Sequence, residues 1–190
     1  LLDDSVYDKP DFEGAAYVMS PPLRPAGHQD VLWNALKAGT LQVVATDHCP
    51  FNQKGQKDMG KDDFRKIPNG AAGIQNRLSL LYTHGVLEGR LDLHEFVDLT
   101  STRAAKIFGL YPRKGSITVG ADADLVVFDP EATSTISAKT HRHRCDRSIF
   151  EGFKVKGLPS HVVVNGRIQY ADGDLKVERG AGQFLQRSLR

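Results

Sequence analysis

Leu41-Gln42-Val43-Val44-Ala45-Thr46-Asp47-His48-Cys49-Pro50-Phe51 is a short apolar, β-branched run that stops abruptly at Asp-His and then Pro. Such a run reads as a buried strand of the parallel type, delivering a carboxylate at its C-terminal edge. In α/β barrels that edge is where chemistry sits. A carboxylate there can ligate a metal ion, act as a general base, or do both, which makes Asp47 the leading catalytic and metal-ligating candidate. The competing reading is an Asp whose side chain caps the following turn. Neighbours in a continuing strand point to opposite faces, so His48 is read as a structural histidine that orients Asp47 through a hydrogen bond. Cys49 is read as a small buried residue rather than a nucleophile, because nothing nearby marks a base or an anion hole for it.

Working outward, residues 27–38 carry Leu32 and Leu36 at i, i+4 with Val31 and Ala35 beside them, and Gly39 stands where a left-handed C-terminal cap belongs. This predicts a helix feeding directly into the central strand, the alternation of a βα barrel. Further upstream Pro21-Pro22 excludes helix at Ser20 and leaves backbone carbonyls unpaired, for a ligand or simply as a stiff surface connection. Downstream, residues 52–66 mix Lys54, Lys57, Lys61, Arg65 and Lys66 with Asp58, Asp62 and Asp63, the pattern of a solvated loop with short helical turns. Its position makes it a candidate lid. Ile67-Pro68-Asn69-Gly70 reads as a tight turn in which Asn69 exposes its N–H and C=O, again to a ligand or to water.

Helical spacing of Ile74, Leu78, Leu81 and Tyr82 predicts a helix over 73–84, and Asp92 with Glu95 a capping pair for a second helix through Leu99. Thr102 is read as the cap of a third. The character changes at Tyr111. Short β-rich runs follow over 115–129 and 161–170, with Asn165-Gly166 as a hairpin turn and Asp172-Gly173 as another. The expected organisation is a barrel segment over 1–110, a β-rich lobe with its connecting segment over 111–179, and a tail over 180–190 that packs on a neighbour.

Composition narrows the classes. With 40% hydrophobic and 25% charged residues a real core is possible, and a formal net charge of +2 without a basic, aromatic-studded stripe argues against nucleic acid. No apolar run approaches the ~20 residues that span a bilayer. Two isolated cysteines, Cys49 and Cys145, form neither a CxxC nor a disulfide framework, consistent with a reducing cytoplasm. The opening Leu1-Leu2-Asp3-Asp4, without Met, reads as a strand cut partway and hence as the start of a fragment.

The run 43–51, the loop after it and the Ile67-Pro68-Asn69-Gly70 turn together resemble the dihydropyrimidinase and hydantoinase branch of the amidohydrolase superfamily. The resemblance extends to Tyr17-Val18-Met19-Ser20-Pro21-Pro22-Leu23-Arg24, Leu99-Thr100-Ser101-Thr102, Tyr111-Pro112-Arg113-Lys114-Gly115, the run 122–129, Thr140-His141 and Phe150-Glu151-Gly152. It corresponds to the C-terminal part of such an enzyme. What it implies is an α/β fold: the C-terminal portion of a (β/α)8 metal-dependent-hydrolase barrel, then a small β-rich sandwich lobe and a tail. It also implies ring opening of dihydropyrimidines or hydantoins by two zinc ions, a small cyclic amide as substrate, and a cytoplasmic homo-oligomer, a tetramer in the family.

By position, the resemblance gives Asp47 the roles of metal ligand and proton shuttle. It gives the backbone groups of Ser20 and Asn69 the amide edge of the substrate ring. The other expected ligands, an HxH pair, a carboxylated lysine and two further histidines, belong before Leu1. His141-Arg142-His143 is an HxH, but it follows a polar stretch rather than an apolar strand and is read as a decoy. Two rival readings stand beside the enzyme. Collapsin response mediator proteins share the fold but lack the counterparts of Asp47 and Asn69, both present here; an allantoinase or dihydroorotase would differ in substrate.

Overall fold

The computed structural model describes residues 1–187 and shows an α/β chain: helices and short 3-10 turns up to residue 107, then one four-stranded antiparallel sheet. Helix α1 (His28–Lys37) forms as its spacing requires and ends before Gly39, whose φ is 75°. Val31 and Leu32 on this helix are nonetheless exposed.

The central stretch differs from its reading. Residues 41–51 join no strand among the described residues, and up to Pro50 they are exposed or half-covered rather than buried: exposure alternates residue by residue from Val43 to His48. That is the period of two of an extended chain with one side packed. The backbone is satisfied piecemeal. Val44 N–H donates to Leu99 O (3.2 Å), Val44 O accepts from Arg77 Nη1 (3.1 Å), and Cys49 N–H donates to Ala71 O (3.1 Å). A β-branched run makes a strand only where another strand lies in register beside it, and here helix ends and a loop take that place.

Helix α2 (Arg77–Leu81) starts later than its apolar spacing suggests and runs into a π-helical turn, Tyr82–Val86. Residues 73–76 form a turn instead, because His48 Nδ1 accepts the N–H groups of Gly73 (3.1 Å) and Ile74 (3.4 Å). Helix α3 (Leu93–Val97) opens with the expected box. Asp92 accepts from Glu95 N–H and Glu95 from Asp92 N–H, each at 2.8 Å. Asp92→Ala is therefore expected to lower stability by about 1 kcal/mol, read as a lower urea midpoint at unchanged slope. No change would mean that the Glu95–Lys37 ion pair (2.7 Å) holds this helix start alone. Thr102 caps nothing. α3 continues through a π turn, Asp98–Thr102, into α4 (Arg103–Ile107), and the Thr102 hydroxyl donates to Gly115 O (2.8 Å).

Strands β1 (Leu125–Thr135), β2 (Lys154–Val164), β3 (Arg167–Ala171) and β4 (Asp174–Leu175) pair in chain order, with the Asn165-Gly166 and Asp172-Gly173 turns where the sequence puts them. The sheet is locked onto the helices through Thr83, whose hydroxyl donates to Lys156 O (3.0 Å) and accepts Lys156 N–H (2.9 Å). A side chain thus replaces a neighbouring strand at that point of β2. Two apolar clusters fill the join. Leu80, Ile136 and Val155 form one, and Leu81, Tyr82 and Phe96, with Val44 and Phe128 against them, form the other. Among the tail residues, 180–187 have no helix or strand, Phe184 is exposed, and the Arg187 guanidinium lies 5.7 Å from the Phe108 ring centre. The expected tail ran to Arg190, so its last residues, 188–190, lie outside the described residues. No helix among the described residues is long and apolar enough to cross a membrane.

Candidate functional site

Three segments far apart in sequence meet at one open, largely apolar cavity of about 590 Å³. Ser20, Asp47, Cys49 and Asn69 line it, with Trp33 and Leu81 among its apolar walls. That volume lies within the range of small-molecule sites. Asp47 ends the extended segment with φ at 45°, a left-handed turn that Asp tolerates better than most residues. Asp47 is exposed, and among the described residues its carboxylate has no hydrogen-bond or ion-pair partner, so it does not cap the following turn. His48 does not orient it either: the His48 ring is committed to the 73–76 turn, with Nδ1 as acceptor.

Ser20 and Asn69 are joined directly. The Ser20 hydroxyl donates to Asn69 Oδ1 (3.0 Å), and one residue on, Gly70 N–H donates to Val18 O (3.1 Å). Among the described residues the Ser20 backbone N–H and C=O and the Asn69 N–H find no partner, so each is available to a ligand. Gly70 is required here. Its φ is 148°, and a Cβ would stand 2.6 Å from Cys49 O and 2.9 Å from Cys49 Sγ. The turn bearing Asn69 can therefore lie against the Asp47 segment only if residue 70 has no side chain. Cys49 is exposed rather than buried; it lines the same cavity, and its thiol donates to Asn69 O at 3.9 Å.

The sequence reading missed Lys57 by grouping it with the loop charges. It is 1% exposed, its ammonium donates to Val18 O (2.7 Å) and Pro68 O (2.6 Å), and it lies 5.6 Å from the Phe51 ring centre. Burial pulls its pKa down to about 8. No spacing or motif distinguishes it from Lys54 or Lys61. The loop is also less free than a lid would be. Gln53 N–H (2.7 Å) and Lys54 N–H (2.9 Å) both donate to the Asp146 carboxylate.

His141 and His143 lie in the irregular connection between β1 and β2, their ring centres 3.6 Å apart, with His48 5.3 Å from His143. His141 Nε2 is engaged with Cys145 O (2.9 Å), and among the described residues neither nitrogen of His143 has a partner. Burial, reinforced by the two neighbouring imidazoles, lowers the His143 pKa to about 4. An unfolded histidine titrates near 6.5, so between those values the unfolded chain binds the proton first and stability falls as pH drops from about 6.5 to 4. His143→Leu is expected to flatten that dependence, measured as the urea midpoint at pH 7 and pH 5; an unchanged slope would show that other groups govern it.

A metal ion would find one oxygen donor in Asp47. Its free carboxylate suits a single ligand position. Among the described residues, however, no group of three or more His, Cys, Asp or Glu side chains is placed to hold an ion. This stretch offers one wall of a cage and does not complete it.

Comparison with known proteins gives the class. The model of the amidohydrolase family matches residues 18–169, most of the chain, and the chain belongs to that family. Among its relatives, a D-hydantoinase of Geobacillus stearothermophilus is 52% identical over 188 residues, covering 99% of this chain and 40% of the relative. The dihydropyrimidinase of Rattus norvegicus is 49% identical over 174 residues, 91% of this chain and 33% of that protein. The crystal structure of dihydropyrimidinase from Brevibacillus agri NCHU1002 superposes with a TM-score of 0.97 at 49% identity, over 99% of this chain and 41% of that one. The chain thus spans about two fifths of the length of such relatives. The family is metal-dependent.

Proposed function

We propose that these residues form the C-terminal part of a cyclic amidohydrolase that opens 5,6-dihydropyrimidines such as dihydrouracil and dihydrothymine, and hydantoins, to N-carbamoyl amino acids. In this reading residues 1–110 are the last portion of a (β/α)8 barrel, 111–179 a β-rich lobe and 180–190 a tail. One observation carries it: among the described residues the Asp47 carboxylate stands without a partner and lines the same cavity as Ser20, whose backbone groups are free, and Asn69, whose N–H is free. The names of the relatives, D-hydantoinase and dihydropyrimidinase, point the same way. An assembly protein of the same fold has no need of an unpaired carboxylate there.

Chemically, opening a cyclic amide adds water oxygen to the carbonyl carbon, breaks the ring C–N bond and moves one proton to the departing nitrogen. Two zinc ions, bound by Asp47 together with ligands outside these residues, would supply the activated water and polarise the carbonyl. Asp47 takes the proton of the attacking water and delivers it to nitrogen, a transfer that needs one carboxylate oxygen left free when the other ligates the metal. The Ser20 and Asn69 backbone groups hold the amide edge of the ring, their donors and acceptors complementary to a flat N–H/C=O array. Trp33 and Leu81 give the cavity an apolar wall suited to the ring's carbon atoms.

The test compares a full-length protein carrying this sequence with the 190-residue chain. Ring opening of dihydrouracil, dihydrothymine and hydantoin is followed in both, together with zinc content. The full-length protein is expected to turn over with metal bound, and the shorter chain to do neither. Stoichiometric zinc with turnover from these 190 residues would refute the shared cage. A full-length protein inert toward all three rings would refute the substrate class.

A further inference from the structure

Lys57 is a second polar feature at the site that the proposed chemistry does not use. Holding an ammonium out of water costs several kcal/mol unless it is well paired. Among the described residues no carboxylate pairs with it. A leucine or methionine would fill the same space without that penalty if packing were the only requirement. What the ammonium does is bind two particular carbonyls, Val18 O at 2.7 Å and Pro68 O at 2.6 Å. One lies two residues before Ser20 and the other one residue before Asn69. Val18 O also accepts Gly70 N–H (3.1 Å), so both segments are tied at a single point from the buried side. On the cavity side they meet through the Ser20–Asn69 contact (3.0 Å).

We propose that Lys57 is a positioning residue, a buried cationic clasp that fixes the separation of the Ser20 and Asn69 backbone groups and so sets the recognition of the ring's amide edge. This rests on the proposed function for its use, while the clasp itself is a property of these residues. A hydrogen-bonded edge needs both partner groups within a few tenths of an ångström of their places, and short charge-assisted bonds to adjacent carbonyls supply that constraint. The cation also explains why a buried lysine sits in a loop whose other lysines Lys54, Lys61 and Lys66 are exposed.

The experiment uses the full-length protein with Lys57→Met, which keeps an apolar stem and removes the ammonium, and Lys57→Arg, which keeps the charge but not the geometry. In K57M, amide hydrogen exchange at Gly70 is expected to speed up at least about tenfold. KM for dihydrouracil is expected to rise about tenfold, with kcat within about threefold and zinc content unchanged. In K57R, KM is expected to rise with the melting temperature near that of the parent. Exchange and KM both unchanged in K57M would overturn the clasp. Faster exchange with unchanged KM would overturn its role in recognition and leave a purely structural lysine. If K57M does not fold, K57R decides: an unchanged KM there overturns the proposal. If the parent protein opens none of the rings, the proposed function fails on its own account, and Gly70 exchange in K57M still supports or overturns the clasp.

Discussion

Asp47→Asn in a full-length protein carrying this sequence is expected to lower kcat for dihydrouracil opening by on the order of 10³-fold, with little change in melting temperature. The size follows from the role: a positioned acid–base group contributes roughly 10²–10⁴-fold. The small effect on stability follows from the surroundings, since the carboxylate is exposed and has no partner among the described residues for the amide to disturb. The amide keeps shape and one oxygen donor but cannot accept a proton near neutrality. A proton-transfer role and a ligand role then separate. If zinc content is retained while kcat collapses, the lost function is proton transfer. If zinc is lost as well, Asp47 is needed to hold it. A D47N protein retaining activity within tenfold would show that neither role belongs to Asp47, and the reading of this cavity as an amidohydrolase site would lose its centre.

Features written into a few adjacent residues were legible from the sequence. The Asp92/Glu95 box, helix α1 and the Asn165-Gly166 turn depend on partners three or four positions away or on local backbone preference, and all three stand where they were expected. Meetings of distant segments were not. Whether the run 41–51 pairs as a strand depends on what lies beside it, and beside it lie Leu99, Arg77 and Ala71. Thr102 has the local signature of a cap, yet its hydroxyl is taken by Gly115, thirteen residues on. Cys49 looked like a core residue because small sulfur side chains usually are. For the site, Asp47 was legible from its place at the end of an apolar run, while the roles of Ser20 and Asn69 came from a family resemblance. Their convergence on one cavity required the fold, and Lys57 left no trace in the sequence because only its burial sets it apart.

Packing is tight where the helices meet the sheet, and Gly157→Ala is expected to lower stability there by about 3 kcal/mol. Gly157 follows Lys156, the residue gripped by Thr83, and lies at the register shift between Asp129 and Thr133 of β1. Its φ is 85°, and a Cβ would fall 2.3 Å from Tyr82 Cδ1 and 2.7 Å from Phe128 Cζ. Those rings cannot easily retreat. Tyr82 and Phe128 have centres 5.0 Å apart, and Phe96 closes the group at 6.0 and 5.8 Å. A left-handed backbone costs a side-chain-bearing residue roughly 1–2 kcal/mol, and overpacking a core adds about 1–3 kcal/mol. Gly152 supplies the control: its φ is 81°, but a Cβ there would meet nothing within 4 Å. Gly152→Ala should therefore lose only the backbone part, about 1–2 kcal/mol, so the difference between the two variants in urea midpoint reads the packing alone. Equal losses would mean that the aromatic group yields freely. The rings would then not be what holds the sheet against the helices, and Thr83 with the Leu80, Ile136 and Val155 cluster would be left as the link.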